Sequence, residues 1–142
     1  MSFAAGIIPY KIVNNEFIFL LGLERSNNKW SGFVGGSEPG ESPVNTAIRE
    51  FNEETSMIFY EYPINIINIP PIIEKTSTGK NVYLWFVNYP FNLNLNKFHY
   101  NQHIYQNNIY KEKSDLRWFN LNEIKNGNIL YRLKQTILFN FK

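Results

Sequence analysis

The chain has no cysteine among its 142 residues. Disulfides, thiolate metal centres and cysteine nucleophiles are therefore excluded. Histidine is scarce too: His99 and His103 are the two present, and in a stretch without clear periodicity they read as surface residues rather than a metal pair. No run reaches the roughly 18 apolar residues of a membrane span. The N-terminal Met-Ser-Phe-Ala-Ala sets no basic segment ahead of an apolar one, so no export signal is expected and a cytoplasmic location is the default. Charged residues make up 18% of the chain, with a formal net charge of +2 and no dense basic patch for a polyanion. What is abundant is apolar material, 44% hydrophobic and 17% aromatic. That composition argues against disorder and, at this length, suits one domain over 1–142 with its own core.

Two apolar, β-prone runs, Ala4 to Val13 and Glu16 to Glu24, are separated by Asn14-Asn15 and read as a hairpin. Asn27-Asn28-Lys29 makes a turn, and Trp30 to Val34 an extended segment ending at glycines. Ser42 is a good N-cap with Pro43 at the first helical position, and the spacing predicts a helix over 43–56. Pro70-Pro71 interrupts the β-branched run Ile64 to Glu74. Asn81 to Tyr89 alternates as a strand, with Trp85 in the core. Residues 90–112 are Asn-rich and aromatic without a period, hence a long loop. Leu116 to Phe119 is a short strand, Asn122 starts a short helix, and Leu130, Leu133, Ile137 and Leu138 mark a C-terminal amphipathic helix. The expected fold class is α/β (α+β), an α/β/α sandwich with a mixed β-sheet.

The helix at 43–56 crowds Arg49, Glu50, Glu53 and Glu54 into six positions. At 100° per residue from Val44, Glu53 falls at about 180°, Glu50 at about 240° and Glu54 at about 280°. Val44, Ala47, Ile48 and Phe51 form a separate stripe suited to packing. One face packs while its neighbour gathers negative charge. By itself such a run is a solvated face with intrahelical ion pairs. Here a glycine turn precedes it at a fixed offset, and carboxylates this close repel unless they share a cation.

The full pattern is Gly35-x5-Glu41-x7-Arg49-Glu50-Phe51-x-Glu53-Glu54-x-Ser56-Met57. It resembles the box of the Nudix hydrolase family, and Trp30 before it and Leu116-Arg117-Trp118-Phe119 after it are similar to landmarks of that family. The resemblance implies hydrolysis of a diphosphate bond in a nucleoside diphosphate linked to another group. It implies Glu50, Glu53 and Glu54, with the backbone carbonyl of Gly35, as metal ligands, and Glu53 or Glu54 as the group that orients or deprotonates the water. Mg2+, with Mn2+ possible, suits an all-oxygen donor set lacking Cys and His. Arg49 would orient the glutamates and tie down Glu41. Glu112 stands where several family members supply a loop general base, and exposed loop charge is the competing reading.

Arg25, Phe33 and Trp30 are the candidate substrate contacts, the first for phosphate and the aromatics for stacking on a base. Two departures bear on the resemblance. Ser56 stands in place of the box's last glycine, where left-handed geometry is expected, and Phe33-Val34 in place of Pro-Gly at the lip of the site. Neither removes a metal ligand. Gly79-Lys80 is not a phosphate loop, since residue 74 is Glu and Asn81 follows the lysine. The expected partner is a nucleotide-type small molecule: an NTP, a dinucleoside polyphosphate, a nucleotide sugar or an RNA cap. The small net charge and lack of an added RNA-binding domain count against the cap. A non-catalytic module that binds a nucleotide or a protein is the rival reading. Monomer and homodimer both remain open.

Overall fold

Asn14 and Asn15 adopt left-handed backbone, φ 51° and 64°, and turn β1 (Ala4–Val13) back onto β2 (Glu16–Glu24) in the antiparallel register Tyr10 to Phe19 and Val13 to Glu16. Short polar side chains tolerate that geometry better than most. The computed structural model describes residues 2–105 and 107–141. Met1, Gln106 and Lys142, which belong to the expected 1–142 domain and, for Gln106, the expected 90–112 loop, lie outside the described residues.

β1 divides its edge between two partners. Its second half pairs with β2, whereas Ala4 to Ile7 pair antiparallel with β4 (Phe33–Gly36). Gly6 permits this approach, because a Cβ there would lie 2.2 Å from the Phe33 carbonyl oxygen. The end of β2 pairs instead with β3 (Trp30–Ser31). The sheet therefore splays between β4 and the end of β2.

On its other edge β1 runs parallel to β6 (Asn81–Asn88), which pairs with β5 (Ile72–Lys75). β7 (Lys113–Asn120) lies along β2. The result is one mixed sheet of order β3-β2-β1-β6-β5, with β4 on β1 and β7 on β2.

Apolar residues cover both faces. One core joins Ala47 and Phe51 of α1 (Pro43–Glu54) and Phe98 of α2 (Asn96–Ile104) to Ala5, Ile7, Leu20 and Trp85. The other joins Ile124 of α3 (Leu121–Asn126) and Leu133 and Ile137 of α4 (Tyr131–Asn140) to Ile8, Phe19, Leu21 and Leu84. This is the expected α/β/α arrangement. No helix among the described residues is long and apolar enough to cross a membrane.

Several boundaries differ from expectation. α1 ends at Glu54 rather than residue 56, because Ser56 and Met57 turn left-handed, φ 52° and 63°. The 64–74 run keeps only Ile72–Lys75 as strand, starting directly after Pro70-Pro71. α3 begins at Leu121, capped by Asn120 in a reciprocal box with Glu123. Residues 90–112 are not one loop: they contain α2 and a 3-10 turn at Asn108–Tyr110. The buried face of α2 carries Asn101 and Gln102 beside Phe98, so it shows no apolar period.

Candidate active site

α1 starts where Ser42 caps it, its Oγ accepting from the Asn45 N–H at 3.2 Å. With Ala47 and Phe51 held in the core, the adjoining face turns toward the splay in the sheet. Arg49 lies among the carboxylates. Its Nε donates to Glu41 at 2.7 Å and its Nη1 to Glu50 at 2.9 Å and Glu53 at 3.1 Å. Nη2 donates to Glu41 at 3.0 Å and to the Gly36 carbonyl at 2.9 Å. One planar fork thereby orients two α1 glutamates and ties the glycine turn to the helix. The Arg49 hydrogen bond, reinforced by the Glu38 backbone N–H, holds the Glu41 carboxyl down to about 2. Pairing with Glu41 raises Arg49 further above its ordinary value.

Gly35 lies against the Glu50 carboxylate, and a Cβ there would sit 2.1 Å from Glu50 Cδ. The glycine of the turn is thus required by contact. Glu50, Glu54 and Glu112 each offer an oxygen within 4.8 Å of the others'. The loop residue Glu112 therefore joins the helix, while Glu53 falls outside this trio and pairs with Arg49. Burial raises the proton affinity of Glu54 well above the ordinary carboxylate range; Lys113 opposes that shift, and Glu50 and Glu112 add to it. Burial, followed by the Glu50 charge, also lifts Glu112 and Glu53. Glu54 Oε2 is buried with no hydrogen-bond partner. A buried acceptor left open beside two like charges, in an all-oxygen donor set, fits a hard divalent cation.

Sequence reasoning missed Lys113. It is 2% exposed, and its Nζ donates to Ser31 Oγ and to the Gly32 carbonyl at 3.0 Å. The same ammonium lies 3.4 Å from Glu54 and 3.7 Å from Glu24. It fills the splay between β4 and the end of β2, its stem lying against Gly22. Alternation from Leu116 would turn Ser114 inward, but the β2–β7 register slips, Leu23 facing Asp115 and Glu24 facing Lys113. The slip turns the lysine in. No sequence signal singles it out, since Lys111, Asp115 and Arg117 make the segment around it as polar as an exposed strand.

The substrate contacts expected from sequence require correction. Phe33 is fully buried, its ring edge-on to Phe51 at 5.5 Å, because β4 pairing turns it into the core. It cannot form the lip of the site. Trp30 packs on the opposite core, edge-on to Phe119 at 5.0 Å with the Arg117 guanidinium over its ring at 5.1 Å, so its face is already occupied. Arg25 does reach the site rim, yet its Nε donates to the Lys111 carbonyl at 2.6 Å and its Nη2 to Gln102 Oε1 at 3.0 Å. His99 pairs with Asp115 at 3.2 Å, apart from the carboxylates.

Three cavities adjoin. A 290 Å³ space contains Glu54, Glu112 and Lys113. It shares Arg25 and Glu112 with a 620 Å³ space that His103 and Lys111 also line. It shares Glu24 and Val34 with a 260 Å³ space walled by Val82, Leu84, Leu130 and Leu133, with Glu74 and Arg132. The groove is cationic at one end, apolar at the other and carboxylate-lined between. A larger cavity, 840 Å³, lies away from this chemistry, around Tyr62 and Phe91 at the far end of β6.

A family model described as NUDIX domain matches residues 4–137. Among solved structures, the fold is similar to an Ap4A hydrolase of C. elegans in a binary complex, at 20% identity and TM-score 0.66, covering 96% of this chain and 93% of that one. It is similar also to the NUDIX domain of Shewanella oneidensis NrtR complexed with ADP ribose, at 15% identity and TM-score 0.59 over 96% of this chain and 83% of that one. A chain of the complex between the C-terminal domain of mouse MUTYH and human PCNA matches at 10% identity and TM-score 0.63, over 97% of this chain and 86% of that one. At these identities the likeness is one of fold. Uncharacterized protein L534 of Acanthamoeba polyphaga mimivirus is 39% identical over 63 residues, 40% of this chain and 20% of that protein's length.

Proposed function

Since the chain belongs to the NUDIX domain family, we propose that it hydrolyses the diphosphate bond of a nucleoside diphosphate linked to another group, with a divalent cation held by Glu50, Glu54 and Glu112. The observation that carries this reading is the approach of those three carboxylates to within 4.8 Å of one another, together with the buried, unpartnered Oε2 of Glu54. When bound, Mg2+ or Mn2+ would neutralise diphosphate oxygens and lower the pKa of a bound water.

The chain's own groups supply the rest. Arg49 keeps Glu50 and Glu53 oriented. Gly35 leaves room for the Glu50 carboxylate and places its backbone beside the donor set. Glu53 stands outside the carboxylate trio with its proton affinity raised by burial. It is the carboxylate left, in this reading, to take the proton of the attacking water. This refines the ligand set expected from sequence: Glu112 enters it and Glu53 moves beside it.

The groove supports a two-ended substrate. Its apolar end suits a base, and His103 and Lys111 at the other end suit an anionic group. The structural neighbours solved as an Ap4A hydrolase and with ADP ribose add weight to a nucleotide of this kind. A purely interacting module is disfavoured by the complete carboxylate set.

Phosphate release from a panel of NTPs, dinucleoside polyphosphates, nucleotide sugars and capped RNA, with Mg2+, tests the proposal beside Glu54→Gln. Turnover on one class, lost in the variant, is expected. No turnover on any member, with nucleotide binding unchanged in Glu54→Gln, would refute it.

A further inference from the structure

Glu112 is the member of the carboxylate trio that does not come from α1, and a loop does not hold a side chain in place unless its backbone is fixed. Here the fixing is unusually complete. The carbonyls of residues 110, 111, 112 and 113 all accept hydrogen bonds from outside the loop. Gln102 Nε2 donates to Tyr110 at 2.9 Å and to Lys113 at 2.6 Å. Arg25 donates from Nε to Lys111 at 2.6 Å and from its backbone N–H to Glu112 at 3.0 Å. The Gln102 Oε1 in turn accepts from Arg25 Nη2 at 3.0 Å, so the two donors brace each other.

The end of α1 enters the same network. Ser56 is fully buried in left-handed backbone, φ 52°, where glycine is the natural occupant. Its hydroxyl donates to the Tyr110 carbonyl at 3.0 Å, and its own carbonyl accepts from Asn101 Nδ2 at 2.7 Å. A glycine would keep the second bond and lose the first. Asn101 and Gln102 are adjacent on the buried face of α2, which explains why that helix buries carboxamides rather than apolar side chains.

We infer that Ser56, Gln102 and Arg25 are positioning residues that hold Glu112 against Glu50 and Glu54 by fixing the four carbonyls of residues 110–113. The inference rests on the metal-site reading proposed above. Arg25 thereby acts through Glu112 rather than as a phosphate contact, and the serine in the glycine position of the box couples the helix end to the loop that completes its donor set.

The test uses Mn2+ affinity without nucleotide, read by the resonance of the free ion, together with amide hydrogen exchange of metal-free protein. Gln102→Met retains side-chain volume and removes both donors. It should weaken Mn2+ binding by about tenfold and speed exchange across residues 109–114, with β1 and β6 unchanged. Ser56→Gly relieves the backbone, so its melting temperature should hold or rise while Mn2+ affinity still falls by about threefold. In a Glu112→Gln background neither change should weaken Mn2+ further, and in turnover both should lower kcat with little change in KM.

Unchanged exchange in folded Gln102→Met overturns the inference. So does an equal loss of Mn2+ affinity with and without Glu112, since the effect would then be a general loss of stability. If the wild-type chain binds no Mn2+, the metal-site reading fails instead, and the exchange measurement still decides whether the loop is clamped.

Discussion

Replacing Lys113 with methionine removes the one cation that, among the described residues, is buried beside Glu54, 3.4 Å from its Oε1, while retaining most of the aliphatic stem. The Glu54 side chain is 3% exposed, so bulk water solvates its charge poorly once the ammonium is gone. Stranding one partner of a buried ion pair costs about 3–5 kcal/mol. The low end applies here, because Glu54, whose proton affinity burial already raises, takes up a proton rather than remain charged and unpaired. A loss of about 3 kcal/mol corresponds to a melting temperature lower by roughly 10 °C for a chain of this size. The decisive measurement is a double-mutant cycle by urea unfolding in metal-free buffer. Lys113→Met/Glu54→Gln should recover much of the loss, since the double variant no longer strands a buried carboxylate at position 54 and leaves only the part-exposed Glu24 to solvent. A Lys113→Met protein within about 1 kcal/mol of wild type, or a double variant no more stable than the single one, would refute this account of the pair.

Gly35→Ala should displace the Glu50 carboxylate, which a Cβ would meet at 2.1 Å; the chain should fold with Mg2+ binding by calorimetry reduced at least about tenfold. Arg49→Lys cannot reproduce the fork to Glu41, Glu50 and Glu53, and kcat should fall by about ten- to a hundredfold while circular dichroism is unchanged. Glu41 is held down to about 2 chiefly by Arg49, so its pairing stabilises the fold fully above the ordinary carboxylate value and is lost as pH falls through the folded one; the melting-temperature gap between wild type and Glu41→Gln should stay flat above roughly pH 5 and close toward pH 2. Phe33→Ala should cost about 3–5 kcal/mol of stability in chemical denaturation, whereas a lip residue would change KM and leave stability intact.

What could be read in the sequence was whatever is decided locally. Asn14-Asn15 specify their hairpin, and Ser42-Pro43 start α1. The stripe of Ala47 and Phe51 is buried as its 3.6-residue period requires, which places the glutamates on the adjoining face. What could not be read depends on partners distant in the chain. Phe33 looks like a lip residue until β4 pairs with the first half of β1 and turns the ring inward. Lys113 faces the site only because the strand register slips beside Glu24. α2 escapes a hydrophobic pattern because its packing face works through Asn101 and Gln102, whose partners lie at Ser56, Tyr110 and Lys113.

Ser56 shows how a local rule and a tertiary contact can cancel. A non-glycine residue in left-handed backbone is worse than glycine by roughly 1 kcal/mol. The buried hydrogen bond from its hydroxyl to the Tyr110 carbonyl returns about 0.5–1.5 kcal/mol. The two nearly balance, so stability alone gives no reason to prefer serine at this position. Their consequences do not balance, because the backbone term acts only on the end of α1, whereas the hydrogen bond acts on the loop carrying Glu112. A glycine there would leave a helix that ends just as well and a third carboxylate held by one bond fewer. The residue that breaks the motif is thus explained by the part of the site the motif does not encode, and a Ser56→Gly protein that melts no lower yet binds Mn2+ less tightly would separate the two effects.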